Sequence, residues 1–419
     1  MDFDRHPCFN VLTRHSTGRI HLPVAVRCNI QCNFCNRKYD CVNESRPGVT
    51  SAVLTPTQAI RYLDAVLEKV ENLAVVGIAG PGDPFANPKE TMQTLEFVRE
   101  KYPDKILCFA TNGLGLPDYA EQIAKLNVSH ATITLNAVDP QIGAKIYAWV
   151  RPAMRAMRGV DGAKFLLERQ TEAIQELKKR NVAVKVNTVI IPEINDEHAV
   201  EVAAFCKELG VDVQNCIPLM HVESTAFEGR PLPTAADMIA LRIKTSQYVR
   251  QTSHCARCRA DAAGLIGVEN RLEIVELLQN ATLVQPTKER PFVAVGSMEG
   301  LFVNRHLGEA PSLWVFGKQE NKIVLLEQRP TPIPGTGDAR WLELAETFKD
   351  CAAVLVSGCG PNPQRILEEK GLSVIAMEGL IAESLPYIFA GKKLPKILTR
   401  SPGICGEGSG CKGVGGGCA

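Results

Sequence analysis

Six short apolar runs, at 21–26, 73–79, 106–111, 131–135, 182–191 and 211–217, set what this chain can fold into. Helical patterns separate them. Over 56–71, Ile60, Leu63, Leu67 and Val70 recur at helical spacing; over 163–180, Leu166, Leu167, Ala173, Ile174 and Leu177 do the same. Val200, Ala203 and Ala204 mark a further helix that Gly210 stops. Strands that alternate with helices pair in parallel, because a parallel connection needs a crossover long enough to hold a helix. The expectation is an α/β fold with helices outside the sheet and chemistry on the loops at the carboxyl ends of the strands. Periodicity does not say whether the sheet closes.

Directly after the first run come Cys28, Cys32 and Cys35, spaced C-x3-C-x2-C. Three thiolates on one tight loop hold three corners of a four-iron, four-sulfur cube and leave the fourth iron without a protein ligand, and open sites do chemistry. A zinc site or three core thiols are the bland alternatives, although zinc sites favour paired C-x2-C units. The chain has 15 cysteines, an odd number that suits metal sites better than pairwise bridges. Such thiolates and clusters also predict oxygen sensitivity. After the second run, Gly80-Pro81-Gly82-Asp83-Pro84 lets backbone approach a ligand closely. Thr111-Asn112-Gly113 ends the third run, Asn136 the fourth, and Asn187 lies within the fifth; each is placed to contact ribose or carboxylate, or simply to cap a strand end.

The triplet behind a strand, followed by this loop, resembles the radical S-adenosylmethionine (SAM) enzymes. The resemblance implies an open six-stranded barrel, a partial (βα)6 fold. It also implies a [4Fe-4S] cluster whose open iron chelates the amino and carboxylate groups of SAM and passes the electron that releases a 5'-deoxyadenosyl radical. Gly80, Gly82 and Asp83 then match the segment that binds the amino group of SAM.

Lys and Arg total 47 against 46 Asp and Glu, so no net field gathers nucleic acid or an anionic membrane. No apolar run is long enough to span a bilayer, and the start MDFDRHPCFN is not a signal peptide, so the expected location is cytoplasmic. At 419 residues the chain suggests two domains or three. The expected division is 1–274 for the barrel, 275–290 for a linker, 291–398 for a small α/β module and 399–419 for a Gly- and Cys-rich tail.

The remaining cysteines narrow the reading. Cys8 sits in His6-Pro7-Cys8-Phe9, Cys41 lies six residues beyond the triplet, and Cys108 falls in the third strand run. Cys255 and Cys258 form a C-x2-C, which by itself fits zinc or iron–sulfur equally. Together with the run from Cys28 to Val49, the stretch from His254 to Asp261 and the order of the two modules, these segments resemble the NifB family of nitrogenase-cofactor biosynthesis proteins over essentially the whole chain.

The family resemblance implies two further [4Fe-4S] clusters as substrates, fused into an eight-iron, carbide-centred precursor. It makes Cys8, His21 and Cys108 ligands of one, and Cys41, Cys255 and Cys258 ligands of the other. From the residues alone, Cys108 reads as a buried hydrophobe and His21 as a core histidine. Cys206 and Cys216 read as core. Glu44 and Arg46 are candidates for proton transfer or SAM orientation, with a surface ion pair as the plain reading.

The C-terminal module resembles the NifX/NafY cofactor carriers, a ribonuclease H-like fold. His306 matches their cofactor-holding histidine, and Cys359 ends a nearby strand. Cys405, Cys411 and Cys418 of the tail are either transient iron–sulfur contacts or a disordered end. Expected partners are SAM, iron–sulfur cluster donors, an electron donor such as ferredoxin or flavodoxin, and a cofactor carrier or nitrogenase maturation protein. Two rivals stand beside this reading. One is a radical SAM enzyme that modifies peptide or RNA with resident auxiliary clusters; the other is a non-catalytic iron–sulfur scaffold.

Overall fold

The computed structural model describes residues 5–267 and 271–399. Two compact units divide between Ala281 and Thr282. In the first, β1 (Gly18–His21), β2 (Leu73–Ile78), β3 (Ile106–Thr111), β4 (His130–Thr134), β5 (Ala183–Ile190) and β6 (Val213–Pro218) lie side by side in chain order. Each neighbouring pair is parallel. Strand β6 does not pair with β1, whose outer edge instead takes the two-residue strand Ala263–Gly264 in antiparallel register. The result is an open half-barrel.

The helices are α1 (Pro56–Leu67), α2 (Pro88–Lys101), α3 (Ala120–Lys125), α4 (Pro140–Ile146), α5 (Gly159–Lys179), α6 (Ala199–Glu208), α7 (Ala235–Thr245) and α8 (Arg271–Ala281). A capping box of Thr55 and Gln58 opens α1, with Pro56 in its first turn. Strand β5 is buried at every position. Its Val184 and Val186 pack with Ala173, Ile174 and Leu177 of α5 in the main core, while the alternate residues Lys185 and Asn187 face a cavity. Polar side chains on the concave face of a parallel sheet are costly to bury, so their presence marks the site.

Three local expectations shift. The first strand ends at His21 rather than running over 21–26. Leu22 N–H makes the last bond to the sheet, to the Gly77 carbonyl at 2.8 Å, and Pro23 has no N–H to continue it. The chain rejoins the sheet only as a bridge between Ala25 and Pro81. Part of the expected linker is helical: 275–281 belongs to α8, whose Ile274, Leu278 and Ala281 are buried in the main core. Finally, Ile30–Cys32 pairs antiparallel with Tyr147–Val150, a short ribbon that supports the triplet loop from below. Among the described residues no helix is long and apolar enough to cross a membrane.

The second unit holds β7 (Phe292–Val295), β8 (Ser312–Gln319), β9 (Lys322–Pro330), β10 (Cys351–Val356) and β11 (Ser373–Ala376), in the order β9-β8-β7-β10-β11. Strand β8 is antiparallel to both β7 and β9, and β10 and β11 run parallel to β7. One face packs on Trp341 and Leu344 from the helix Asp338–Thr347 and on Phe348, which caps it. The other packs on Ile381, Leu385 and Ile388 from the helix Ile381–Phe389. This is the mixed, ribonuclease H-like order.

Candidate functional site

The triplet cysteines line a cavity of about 340 Å³ with Cys41, Asn43, Glu44, Asp83 and Asn112. Residues 80–83 are zipped against the segment leading into it. Asp83 N–H donates to the Arg27 carbonyl at 2.8 Å, and Cys41 N–H to the Pro81 carbonyl at 3.0 Å. Gly82 leaves no alternative residue: a Cβ there would lie 2.2 Å from the Arg27 carbonyl oxygen. Gly80 has φ +125°, a backbone conformation that favours glycine.

Asp83 is 3% exposed and accepts from Thr111 Oγ1 (2.9 Å) and from the N–H groups of Asn112 (2.6 Å) and Phe85 (2.9 Å). Thr111 thus serves Asp83, while Asn112 sends its side chain toward Cys28 Sγ at 3.7 Å. Gln31 Nε2 braces the loop by donating to the Cys32 and Cys35 carbonyls at 3.0 and 2.6 Å.

Burial pushes the Cys28 thiol up to about 12, with Asp83 adding to it, and lifts Cys32 and Cys35 above the usual thiol range. Among the described residues no three His, Cys, Asp or Glu side chains converge on a point that one metal ion could occupy. The thiols of Cys28, Cys32 and Cys35 face this cavity together from one loop, the donor set that a cube with one open iron requires.

A second cavity, about 690 Å³ and partly open to solvent, lies in the barrel lumen. Cross-strand register builds it. His21 of β1 stands opposite Gly77 of β2, which stands opposite Cys108 of β3, and that opposite His130 of β4. Gly77 is the gap in this row. A Cβ there would come within 2.7 Å of Cys108 Sγ and 3.5 Å of His21 Cδ2. His21 Nδ1 lies 2.9 Å from the Arg259 carbonyl, which only accepts, so Nδ1 carries the proton and Nε2 the lone pair.

The N-terminal segment brings Cys8 to the same lumen. Phe9 is buried against Ala183 and Val213 at the starts of β5 and β6, and Cys8 packs beside it. Cys8 N–H donates to His6 Nδ1 at 3.2 Å, and the buried Nε2 of His6 has no partner among the described residues. Cys255 and Cys258 line this cavity too. Their loop is held by the Arg259–Asp261 ion pair (2.8 Å), by Ser51 on Asp261, and by His254 against the Pro7 carbonyl. Arg19 Nη2 donates to Cys258 Sγ at 2.7 Å.

Five of the six auxiliary candidates therefore share one cavity. The sixth, Cys41, lines the triplet cavity, where Asn43 Nδ2 sits 3.7 Å from both Cys32 Sγ and Cys41 Sγ. Glu44 lines both cavities. Thr134 Oγ1 donates to it at 2.6 Å and Asn187 Nδ2 at 3.1 Å, and burial raises its carboxyl to about 7. Arg46 lines neither cavity.

Asn136 and Asn187 act as internal braces. Asn136 Oδ1 accepts from Val189 N–H at 2.8 Å and its Nδ2 donates to Asn43. Asn187 Nδ2 also holds the Asn43 carbonyl, while its Oδ1 accepts from Asn215. Sequence reasoning missed Gly77, His6, Arg19, Asn43 and Lys185. Strand alternation offered one signal, since Arg19, His21, Lys185 and Asn187 occupy the same-face positions of their strands.

Compared with known proteins, the whole chain is 48% identical to the FeMo cofactor biosynthesis protein NifB of Chlorobaculum tepidum, covering 99% of that protein. The chain belongs to the NifB family. It is also 36% identical to the NifB protein of Frankia alni, over 96% of this chain and 89% of that one. The radical SAM superfamily profile matches residues 22–206, and the dinitrogenase iron-molybdenum cofactor profile matches residues 289–391. Among solved structures, Streptococcus suis SuiB bound to S-adenosylmethionine aligns at TM-score 0.42 and 16% identity, covering 59% of this chain and 53% of that one. As a NifB-family radical SAM enzyme of FeMo cofactor biosynthesis, the chain uses a four-iron, four-sulfur cluster and SAM.

In the carrier-like unit of this NifB-family chain, His306 bridges to Gly358. A Cβ at Gly358 would lie 2.8 Å from His306 Cδ2, so the ring sits directly over the loop that carries Cys359. His306 Nδ1 accepts from Gly308 N–H at 3.2 Å, which leaves the proton on Nε2, and burial lowers its pKa. Cys405, Cys411 and Cys418 lie outside the described residues.

Proposed function

We propose that this enzyme joins two substrate four-iron clusters around a carbon drawn from a SAM methyl group, giving the eight-iron, carbide-bearing precursor of the nitrogenase cofactor. The observation that carries the reading is a pair of adjoining cavities that share Glu44: one lined by the triplet thiols, the other by Cys8, His21, Cys108, Cys255 and Cys258. When bound at Cys28, Cys32 and Cys35, the resident cluster with SAM supplies the electron and the 5'-deoxyadenosyl radical. The chain's own task is placement. Gly80, Gly82 and Asp83 shape the SAM side of the triplet cavity, with Asn112 beside Cys28, and the register row holds substrate within reach of one radical. Cys8, His21 and Cys108 would hold one substrate cluster. Cys255 and Cys258, with Cys41 reaching from the adjoining cavity, would hold the other. A histidine ligand suits a cluster that must later leave.

The chemistry is a combined methyl transfer and radical hydrogen abstraction. We place iron–sulfur cluster donors and a ferredoxin- or flavodoxin-type electron donor before it, and a cofactor carrier or nitrogenase maturation protein after it. His306 is the contact we assign to a cofactor in the second unit. The deciding experiment is reduced, anaerobic full-length protein loaded with iron and sulfide and given SAM labelled at the methyl carbon. Label retained in an iron–sulfur product that matures apo-nitrogenase, together with 5'-deoxyadenosine, is the expected result. 5'-Deoxyadenosine without labelled cluster would point to a peptide- or RNA-modifying enzyme, and no 5'-deoxyadenosine to a scaffold.

Glu44 is the proton acceptor for hydrogens lost from the transferred carbon, since it lies between the cavities and titrates near neutrality. Glu44→Gln is expected to keep 5'-deoxyadenosine formation while lowering label incorporation on the order of 100-fold. The same variant has a stability signature. Between the ordinary Glu value and about 7 the folded chain holds a proton that the unfolded chain has lost, so stability falls as pH rises through that window. Removing the carboxyl should therefore stabilise the cluster-free protein above pH 7, by at most about 3 kcal/mol, and leave it unchanged near pH 4. Thermal unfolding at the two pH values reads the difference.

A further inference from the structure

Lys185 projects from β5 into the lumen cavity and is 8% exposed. Among the described residues its ammonium makes no hydrogen bond and no ion pair; its one specific contact is the face of Phe9, 5.5 Å from the ring centroid. Burial alone would disfavour this ammonium, but Cys8, Cys255, Glu44 and Cys108 around the cavity favour it, so the side chain turns a positive charge, held by no hydrogen bond or ion pair among the described residues, toward the thiols that line the cavity.

The other charged groups of the cavity have hydrogen-bond partners of their own. Arg19 donates to the Gly264 carbonyl at 2.5 Å and to Cys258 Sγ. Arg257 donates to the Pro218 and Val42 carbonyls, both at 2.9 Å. The single carboxylate lining the cavity is Glu44, which is hydrogen-bonded to Thr134 and Asn187. With Arg19, Lys185 and Arg257 against Glu44 alone, the lumen is a positively charged chamber. Thiolate-ligated iron–sulfur cubes are net anions, and the positive charge around such a cluster raises its reduction potential.

We propose that Lys185 is a positioning residue for the substrate: its ammonium is the counter-charge that retains an anionic, thiolate-ligated iron–sulfur cluster in the lumen and sets that cluster's potential. The inference rests on the lumen being the substrate-cluster chamber proposed above. It makes the chamber selective for preassembled anionic clusters over free ferrous ions, which the same ammonium repels.

The test uses anaerobic full-length protein, unmodified, K185M and K185R, each loaded with iron and sulfide. Three quantities are read: thermal unfolding before loading, loss of lumen iron to a chelator, and the potentials of the clusters by electron paramagnetic resonance. The expected result for K185M is a loss of cluster retention. Lumen iron leaves at least tenfold faster, and the lumen potential moves negative while the triplet cluster keeps its own. K185R restores retention. A K185M protein that keeps lumen iron at the unmodified rate and potential overturns the proposal. Thermal unfolding before loading checks that each variant is folded. If the unmodified protein itself loads iron only at the triplet, the chamber reading falls and the role of Lys185 falls with it.

Discussion

Gly77→Ala is expected to leave SAM cleavage intact and to empty the lumen of the substrate cluster proposed there. The added methyl would stand 2.7 Å from Cys108 Sγ, closer than side chains approach one another. The strand backbone cannot yield, because Gly77 is paired on both sides, with β1 and β3. The thiol yields instead, by rotating about its single side-chain bond out of the row it shares with His21. Folding stability changes little, because the strain is offset by about 0.5–1 kcal/mol from replacing a strand glycine. The triplet cavity lies apart from this row and keeps its cluster. Iron and sulfide analysis should therefore show the variant short of one four-iron unit, with 5'-deoxyadenosine formed at the normal rate. A variant that carries the full iron content and still makes labelled product would mean that Cys108 is not a ligand.

Cys28→Ala and Cys255→Ala are expected to fail in opposite halves of the reaction. Cys28 is one of the three thiols proposed to hold the resident cluster. Its loss should bring 5'-deoxyadenosine to background, a fall of at least about 1000-fold given what one catalytic electron donor contributes to rate. Cys255 is exposed, so alanine there costs almost nothing in packing, and unfolding cannot explain a defect. Removing it should spare SAM cleavage yet cut formation of the carbon-bearing cluster by about 100-fold, the scale of losing a ligand or its support. Parallel measurement of 5'-deoxyadenosine and of apo-nitrogenase maturation separates the two. Retained maturation in Cys255→Ala would remove that residue from the ligand set.

Much of the half-barrel was legible before any coordinates. The alternation of apolar runs and helical patterns is a local property, and it located all six strands. The exception, the first strand, turned on one proline whose missing N–H lets the strand end five residues earlier than apolar character suggests. Helix α8 was hidden because its buried side, Ile274, Leu278 and Ala281, is short and set in a polar stretch. In the site, the triplet and the C-x2-C announce themselves by spacing. Asn136, Asn187 and Thr111 are less telling in sequence: nothing at a polar strand end announces the internal hydrogen bonds by which they hold Val189, Asn43 and Asp83.

The amino-acid sequence alone determined which donor atoms the chain owns and the order in which the strands deliver them, because both follow from near-neighbour spacing along one backbone. Only the folded chain decided which donors share a chamber. His21, Gly77 and Cys108 become neighbours through the register of three strands, and the chamber exists because the middle position carries no side chain. Its charge is likewise a tertiary fact. Lys185 is an ordinary cation in the sequence and becomes a site only when strand pairing buries it facing the thiols, with no carboxylate paired to it among the described residues. Register and charge compensation both depend on residues distant in sequence, and no local pattern encodes them.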